Sequence, residues 1–235
     1  MTDLRVLEIF DSLQGEGYWT GTPMTFVRLA GCNAPELGLD CMRWCDTAGS
    51  WDAAGGDLRM AATIVAAAHF SRICLTGGEP LLQNAGVAKL VAEAHRCGVR
   101  VHLETNGTVA PPPHSEEEFF DWVVVSPKPP GYFVAEEWEG LIDELKLVVD
   151  ERMDAAIAER LAAAHPEAIV SVQPVWGEAA SEPATSGAGP GGASASTRAA
   201  APNDPASAEA RAVRLVMEHP DWRLSLQMHK FLGIR

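Results

Sequence analysis

The sequence has no run of eighteen apolar residues, so it offers no membrane-spanning helix. Its start, MTDLRVLEIF, lacks the basic stretch and apolar core of a secretory leader, and the expectation is a cytoplasmic protein. Basic residues are few: 18 Lys and Arg against 32 Asp and Glu give a formal net charge of −14. That balance speaks against a broad surface for nucleic acid or anionic membrane, while a local basic pocket remains open to an anion. Cysteine is also sparse. In a reducing compartment five cysteines do not make a disulfide framework, which leaves metal ligation or core packing. Cys74 and Cys97 are read as core.

The other three, Cys32, Cys41 and Cys45, lie close together in the sequence with no fourth nearby. A tetrahedral zinc site or an ordinary iron-sulfur cluster wants four protein ligands, so three thiolates describe a metal site with one position open for something else. A zinc knuckle completed by a histidine, or coincidence, are the alternatives at this point.

With 235 residues and 47% hydrophobic content the chain can bury one substantial core, and a single domain over 1–235 is expected. Apolar, β-branched runs at 5–10, 24–30, 72–77, 99–105, 122–126, 144–149, 168–173 and 222–227 predict strands, most of them buried on both faces. Stretches of helical length lie at 57–70, 80–97, 151–165 and 205–219. The alternation predicts an α/β fold with a parallel sheet and crossover helices, whose ligands bind at the carboxyl ends of the strands. Polar motifs sit at those ends: Thr76-Gly77-Gly78-Glu79-Pro80, Glu104-Thr105-Asn106-Gly107, Ser126-Pro127-Lys128 and Gln173-Pro174. Each alone suits a turn, but their recurrence at the same end of successive strands predicts one shared cleft. Residues 177–207, rich in Ala, Ser, Gly and Pro, read as a flexible low-complexity insertion, followed by a helix capped between Asn203 and Ser207.

Leu13-Gln14-Gly15-Glu16-Gly17, Arg28 before Gly31-Cys32-Asn33, Trp44-Cys45-Asp46-Thr47, the strand-end motifs, Glu144-Leu145-Lys146 and Gln227-Met228-His229-Lys230 occur in this order along nearly the whole chain outside the insertion. In this the sequence resembles the radical S-adenosylmethionine enzymes, and within them the 7-carboxy-7-deazaguanine synthases of queuosine and deazapurine biosynthesis. The resemblance implies a partial, modified (β/α)6 barrel with parallel strands and some crossover helices shortened or lost. It implies a lyase that converts 6-carboxy-5,6,7,8-tetrahydropterin to 7-carboxy-7-deazaguanine with loss of ammonia, through a 5′-deoxyadenosyl radical that abstracts hydrogen from C6.

The site residues follow from the same resemblance, beside the chemistry of each residue type. Cys32, Cys41 and Cys45 would hold a [4Fe-4S] cluster whose fourth iron takes S-adenosylmethionine. Trp44, Asp46, Gly77, Gly78, Glu79, Ser126, Pro127, Lys128, Gln173, Pro174, Val175 and Trp176 would contact S-adenosylmethionine. Gly77 and Gly78 would admit its aminoacyl end and Glu79 would accept from its ammonium, whereas Val175 and Trp176 depart from the commonest residues there. Leu13, Gln14, Gly15, Glu16, Arg28, Thr76, Glu104, Gln227, His229 and the chain-terminal carboxylate of Arg235 would bind substrate. Gln14 supplies hydrogen-bonding edges for a pterin and Arg28 a planar fork for its carboxylate. His229 equally suits a structural hydrogen bonder. Thr47 would ligate Mg2+, a hard cation that keeps part of its water shell, although a hydroxyl capping a turn is the plainer role. An electron donor such as flavodoxin and a homodimer are implied, with no nucleic-acid or membrane partner.

The spacing Cys32-x8-Cys41-x3-Cys45 departs from the superfamily's Cys-x3-Cys-x2-Cys. A longer first loop is tolerated because closure entropy grows slowly with length, and residues four apart share a face if the second gap is helical. All three cysteines are kept as ligands. Two rivals stand beside this reading. A glycyl-radical activating enzyme explains the cysteines and TGGEP but not LQGEG, Thr47 or the QMHK segment. A non-enzymatic zinc or interaction protein explains only the cysteines and the insertion.

Overall fold

The computed structural model describes residues 3–113, 115, 119–176 and 206–235. Most of the predicted insertion, 177–205, lies outside the described residues. Nine strands form one sheet: β1 (Leu4–Leu13), β2 (Pro23–Leu29), β3 (Asp57–Arg59), β4 (Arg72–Gly77), β5 (Arg100–Thr105), β6 (Trp122–Val125), β7 (Glu144–Val149), β8 (Ile169–Pro174) and β9 (Arg223–Leu224). Their spatial order is β3-β1-β2-β4-β5-β6-β7-β8-β9. β1 pairs antiparallel with β2 and β3, and every ladder from β2 to β9 is parallel.

Strand β7 shows how the sequence pattern builds two environments. Leu145, Leu147 and Val149 point outward into an apolar layer with α4 (Ala155–Ala164) and α5 (Ala208–Glu218), through Ala158, Leu161, Ala212 and Leu215. Their neighbours Lys146 and Val148 point the other way and line a cavity. All six residues of β7 are buried, so a strand that reads as one apolar run carries the period-two alternation of a strand with two different faces. Inward residues of β2, β4, β5, β6, β7 and β8 reach the same cavity, which means that the sheet curls into a partial barrel.

The outer layer on the β1 side is closed by α2 (Ala61–Ala66) and α3 (Asn84–Arg96), through Ile64, Val65, Val87, Leu90, Val91 and Ala94. Between β5 and β6, and between β6 and β7, the described residues hold no α-helix. There the fully buried Trp138, on a single 3-10 turn, fills the space and donates its indole N–H to the Val109 carbonyl at 2.9 Å. One aromatic side chain thus covers apolar strand surface that a crossover helix would otherwise cover. Helices α4 and α5 start on side-chain caps, Asp154 accepting from the Ile157 N–H and Ser207 from the Ala210 N–H. Two short helices, α1 (Ala34–Leu37) and α6 (Met228–Leu232), flank the cavity.

Three expectations need correction. Residues 57–59 form an edge strand on β1, and the helix expected over 57–70 is reduced to α2. Gly56 makes this possible: at φ +69 the chain turns so tightly against β1 that a Cβ there would lie 2.3 Å from the Val6 carbonyl oxygen. The strand expected over 222–227 stops after Leu224, because the Ser225 N–H bonds the Val172 carbonyl and its hydroxyl turns to Gln173. Cys97, read as core, is exposed just past the end of α3, whereas Cys74 is fully buried. No helix among the described residues is long and apolar enough to cross a membrane.

Candidate active site

The cavity has a volume of about 500 Å³, within the range of small-molecule sites, and opens at the carboxyl ends of the parallel strands. Its floor is an ionic network. The Lys146 ammonium, on β7, donates to Glu16 at 2.5 Å and lies 3.8 Å from Glu104 on β5. Gln14 donates to Glu104 at 3.0 Å, Thr76 donates to its other oxygen at 3.3 Å, and Gln227 donates to Glu16 at 2.7 Å. Burial opposes the charge on Glu16, but Lys146 outweighs it and brings the carboxyl down to about 2. Burial likewise opposes the Lys146 charge, and Glu104 and Glu16 outweigh it, so that the ammonium is held well above its ordinary value.

Local chain geometry presents these groups. Gly17, at φ +66, passes so close to Glu144 that a Cβ would meet its Oε1 at 2.3 Å, and Glu144 accepts the Tyr18 N–H at 3.1 Å. Below this turn Tyr18 stacks on Trp122, Trp19 meets Trp122 and His102 edge-on, and the barrel is plugged. His102 is 3% exposed among these rings, and burial lowers its pKa to about 4. On the wall, Arg28 donates to Glu8 at 2.8 Å and Arg235 also pairs with Glu8. Both guanidinium groups lie over Phe10, at 5.8 and 4.7 Å.

At the rim, Cys32, Cys41 and Cys45 border the cavity together. The long first gap is taken up by α1, which ends on Gly38 in the left-handed conformation, and Ala34 and Leu39 pack on Cys41. Cys41 sits on a 3-10 turn over Asp40–Arg43 that ends at Trp44, so the second gap is helical over most of its length. Asn106 donates to Asn33 at 2.9 Å and the Pro129 carbonyl accepts from Asp40 at 2.9 Å, tying the loop to the ends of β5 and β6. Burial, then the neighbouring thiols, raises the Cys41 pKa to about 11, and burial also raises Cys32. Lys128 donates to Ser126 at 2.7 Å and lies 5.4 Å above the Trp44 ring; burial lowers its pKa.

No protein-family model matches the chain. It is 32% identical over 234 residues to the 7-carboxy-7-deazaguanine synthase of Flavobacterium psychrophilum, covering 98% of this chain and 92% of that one. To the 7-carboxy-7-deazaguanine synthase of Bradyrhizobium diazoefficiens it is 35% identical over 247 residues, 98% of each. The chain belongs to the 7-carboxy-7-deazaguanine synthase family. The crystal structure of QueE from Escherichia coli superposes with a TM-score of 0.68, covering 97% of this chain and 96% of that one; at 23% identity this shows the shared fold.

Membership of the 7-carboxy-7-deazaguanine synthase family implies a [4Fe-4S] cluster and S-adenosylmethionine, and the rim fits the cluster. Among the described residues no three His, Cys, Asp or Glu side chains converge on a point that would hold a single metal ion. A four-iron cluster asks for something else, because each thiolate binds its own iron and the sulfurs need only surround one space. Three cysteines bordering one cavity meet that condition.

Of the residues expected to contact S-adenosylmethionine, Trp44, Asp46, Gly77, Gly78, Ser126, Lys128 and Gln173 line the cavity. Glu79 does not. It is fully buried with both oxygens occupied, by the Thr105 hydroxyl and Leu81 N–H on one and the Asn106 N–H on the other. Its place is under the loop, where it ties the ends of β4 and β5 together. Pro127, Pro174, Val175 and Trp176 also lie off the cavity wall; Val175 packs on Val148 and Ala208, and Trp176 meets Phe231 edge-on. Gly77 and Gly78 are needed for packing as well, since a Cβ would lie 2.3 Å from the Leu29 carbonyl oxygen and 2.1 Å from that of Gly31.

All ten expected substrate residues, Leu13, Gln14, Gly15, Glu16, Arg28, Thr76, Glu104, Gln227, His229 and Arg235, line the cavity. His229 also covers Gly15, where a Cβ would meet its Nδ1 at 2.3 Å. Thr47 lines the cavity with its hydroxyl 3.5 Å from the Cys45 sulfur, and it makes no side-chain cap to the turn that follows. Among the lining residues given no site role from the sequence are Lys146, quoted only as part of a motif, and Glu8. A lysine inside the apolar run ELKLVV was the signal for the first, while Glu8 is an ordinary alternating strand residue whose partners only folding supplies.

Proposed function

We propose that this chain catalyses the conversion of 6-carboxy-5,6,7,8-tetrahydropterin to 7-carboxy-7-deazaguanine with release of ammonia. The carrying observation is that one cavity joins a three-thiol rim to a carboxylate floor and an arginine wall. Cys32, Cys41 and Cys45 would hold the [4Fe-4S] cluster, with S-adenosylmethionine on its open iron against Trp44, Gly78, Ser126, Lys128 and Gln173. When bound, the pair supplies a carbon radical able to take hydrogen from C6 of the pterin.

The rest is the work of this chain's own residues. Glu104 and Gln14 accept and donate along the amino-oxo edge of the pterin, and Arg28 draws its carboxylate to the opposite wall. Two recognition points of opposite character fix the ring between them and so fix which C–H bond faces the rim. The plug of Tyr18, Trp19 and Trp122 closes the barrel below the site and keeps bulk water from that end. Thr47 would hold Mg2+ beside the substrate carboxylate, a hard-cation role that suits a hydroxyl oxygen. An electron donor of the flavodoxin kind, a homodimer and a cytoplasmic location complete the proposal by family likeness.

The test is anaerobic incubation of cluster-loaded protein with the pterin, S-adenosylmethionine, Mg2+ and a reductant. Formation of 7-carboxy-7-deazaguanine and ammonia is expected. No deazaguanine product from protein with full iron and sulfide content overturns the proposal.

A further inference from the structure

Lys230 reaches the floor network only through Gln227, whereas Lys146 contacts both floor carboxylates and is 6% exposed. It joins two carboxylates that come from distant parts of the chain, Glu16 after β1 and Glu104 on β5, and Glu144 two residues earlier on the same face holds the Tyr18 N–H. One strand therefore grips the LQGEG loop at two points. With Glu16 and Glu104 both charged, Lys146 leaves the pair of carboxylates with a single net negative charge. Without it, two half-buried carboxylates would face each other with no cation between them, and repulsion would turn them apart.

We propose that Lys146 is a positioning residue for the substrate: by bridging Glu16 and Glu104 it holds the Glu104 carboxylate in the cavity floor as a fixed acceptor for the N–H edge of the pterin. It acts through Glu104 and has no direct part in the chemistry. The inference rests on the proposed pterin substrate. Selectivity follows from the charge, since a 2-amino-4-oxo ring presents adjacent N–H donors that a carboxylate pairs with, whereas a 2,4-dioxo ring offers an oxygen that it repels.

The test uses cluster-loaded protein with Lys146→Met, which keeps the stem and removes the charge, and Lys146→Arg, which keeps the charge. Equilibrium binding of 6-carboxypterin and of 6-carboxylumazine is measured by fluorescence titration, beside KM and kcat. Lys146→Met is expected to weaken 6-carboxypterin binding and raise KM by about tenfold or more, the loss typical of a charged hydrogen bond, with a much smaller change in kcat. It is also expected to reduce the preference for pterin over lumazine, and Lys146→Arg to restore both. S-adenosylmethionine binding should not change.

Lys146→Met combined with Glu16→Gln restores the charge balance, so it guards against a single variant that fails to fold. Recovery of 6-carboxypterin affinity in the double variant supports the bridge. Unchanged pterin affinity and ring preference in Lys146→Met, in a preparation whose wild type binds the pterin, overturns the inference and leaves the function standing. Wild-type protein that neither binds nor converts the pterin overturns the function, and this inference with it.

Discussion

The floor and the rim of the cavity are built on opposite principles. On the floor, Lys146, Glu16, Glu104, Gln14 and Gln227 bond one another, so charge and orientation are settled by the protein alone. At the rim, Cys41 is a buried thiol and Cys32 a half-buried one, both with pKa values raised chiefly by burial, at one edge of the cavity. Thiols in that state become thiolates only when metal displaces their protons. The floor is finished at folding, whereas the rim, on the proposed function, is completed only when a cluster binds. An enzyme that must place a substrate rigidly beneath a reactive cofactor gains from that division, because substrate geometry does not then depend on cofactor loading.

The largest effect should come from removing a rim cysteine. Cys41→Ala is expected to bring bound iron and sulfide well below wild type and to abolish turnover, while the melting temperature of the metal-free protein changes little. Full activity in that variant would break the assignment of Cys41. Next is the wall: Arg28→Ala should raise KM for the pterin by about ten- to a hundredfold, from loss of a charged hydrogen bond worth about 1.5–3 kcal/mol, with cluster content unchanged. Steady-state kinetics and iron analysis on the same preparation check both halves.

The plug below the floor makes a pH prediction. His102 is neutral when folded, with a pKa near 4 against 6.5 for an unperturbed imidazole. Its folded pKa is depressed, so the unfolded chain binds the extra proton first. The associated stability is intact above pH 6.5 and is lost as pH falls from there towards 4, by up to about 3 kcal/mol. Denaturant unfolding of His102→Gln should show a flatter dependence across that window; an identical slope to wild type would count against a buried neutral imidazole. Smallest is Gly17→Ala, expected to cost about 1–3 kcal/mol through its positive φ and the Glu144 contact. Its effect on KM should exceed its effect on iron content, because the strain lies at the floor.

The wall and floor were legible in the sequence to different degrees. Strand-end motifs such as Thr76-Gly77-Gly78 and Glu104-Thr105 carry turn chemistry and polar groups at recognisable places, and the shared cleft they predict is the cavity observed. Glu79 belonged to the same motif yet turns inward, since which way a residue faces after a strand depends on the bonds offered by its neighbours, here Thr105 and Asn106. The edge strand Asp57–Arg59 was hidden for a similar reason: three residues carry too little pattern, and pairing with β1 decides their conformation. Trp138 could not be foreseen as the cover for strand surface over which the described residues place no crossover helix, because an isolated tryptophan has no periodicity.

By itself the sequence determined the alternation of strands and helices, the three closely spaced cysteines, and the polar groups at strand ends, since each rests on local pattern and side-chain chemistry. Only the tertiary structure decided that Lys146 bridges Glu16 and Glu104 and that Arg28 shares Glu8 with Arg235. Only it placed Cys41 at the rim despite its spacing. Arg28 meets Glu8 as its cross-strand neighbour on the β1–β2 hairpin, but the curl of the sheet brings Lys146 to Glu16 and Arg235 to Glu8 from more than a hundred positions away, and no short window of sequence contains both partners.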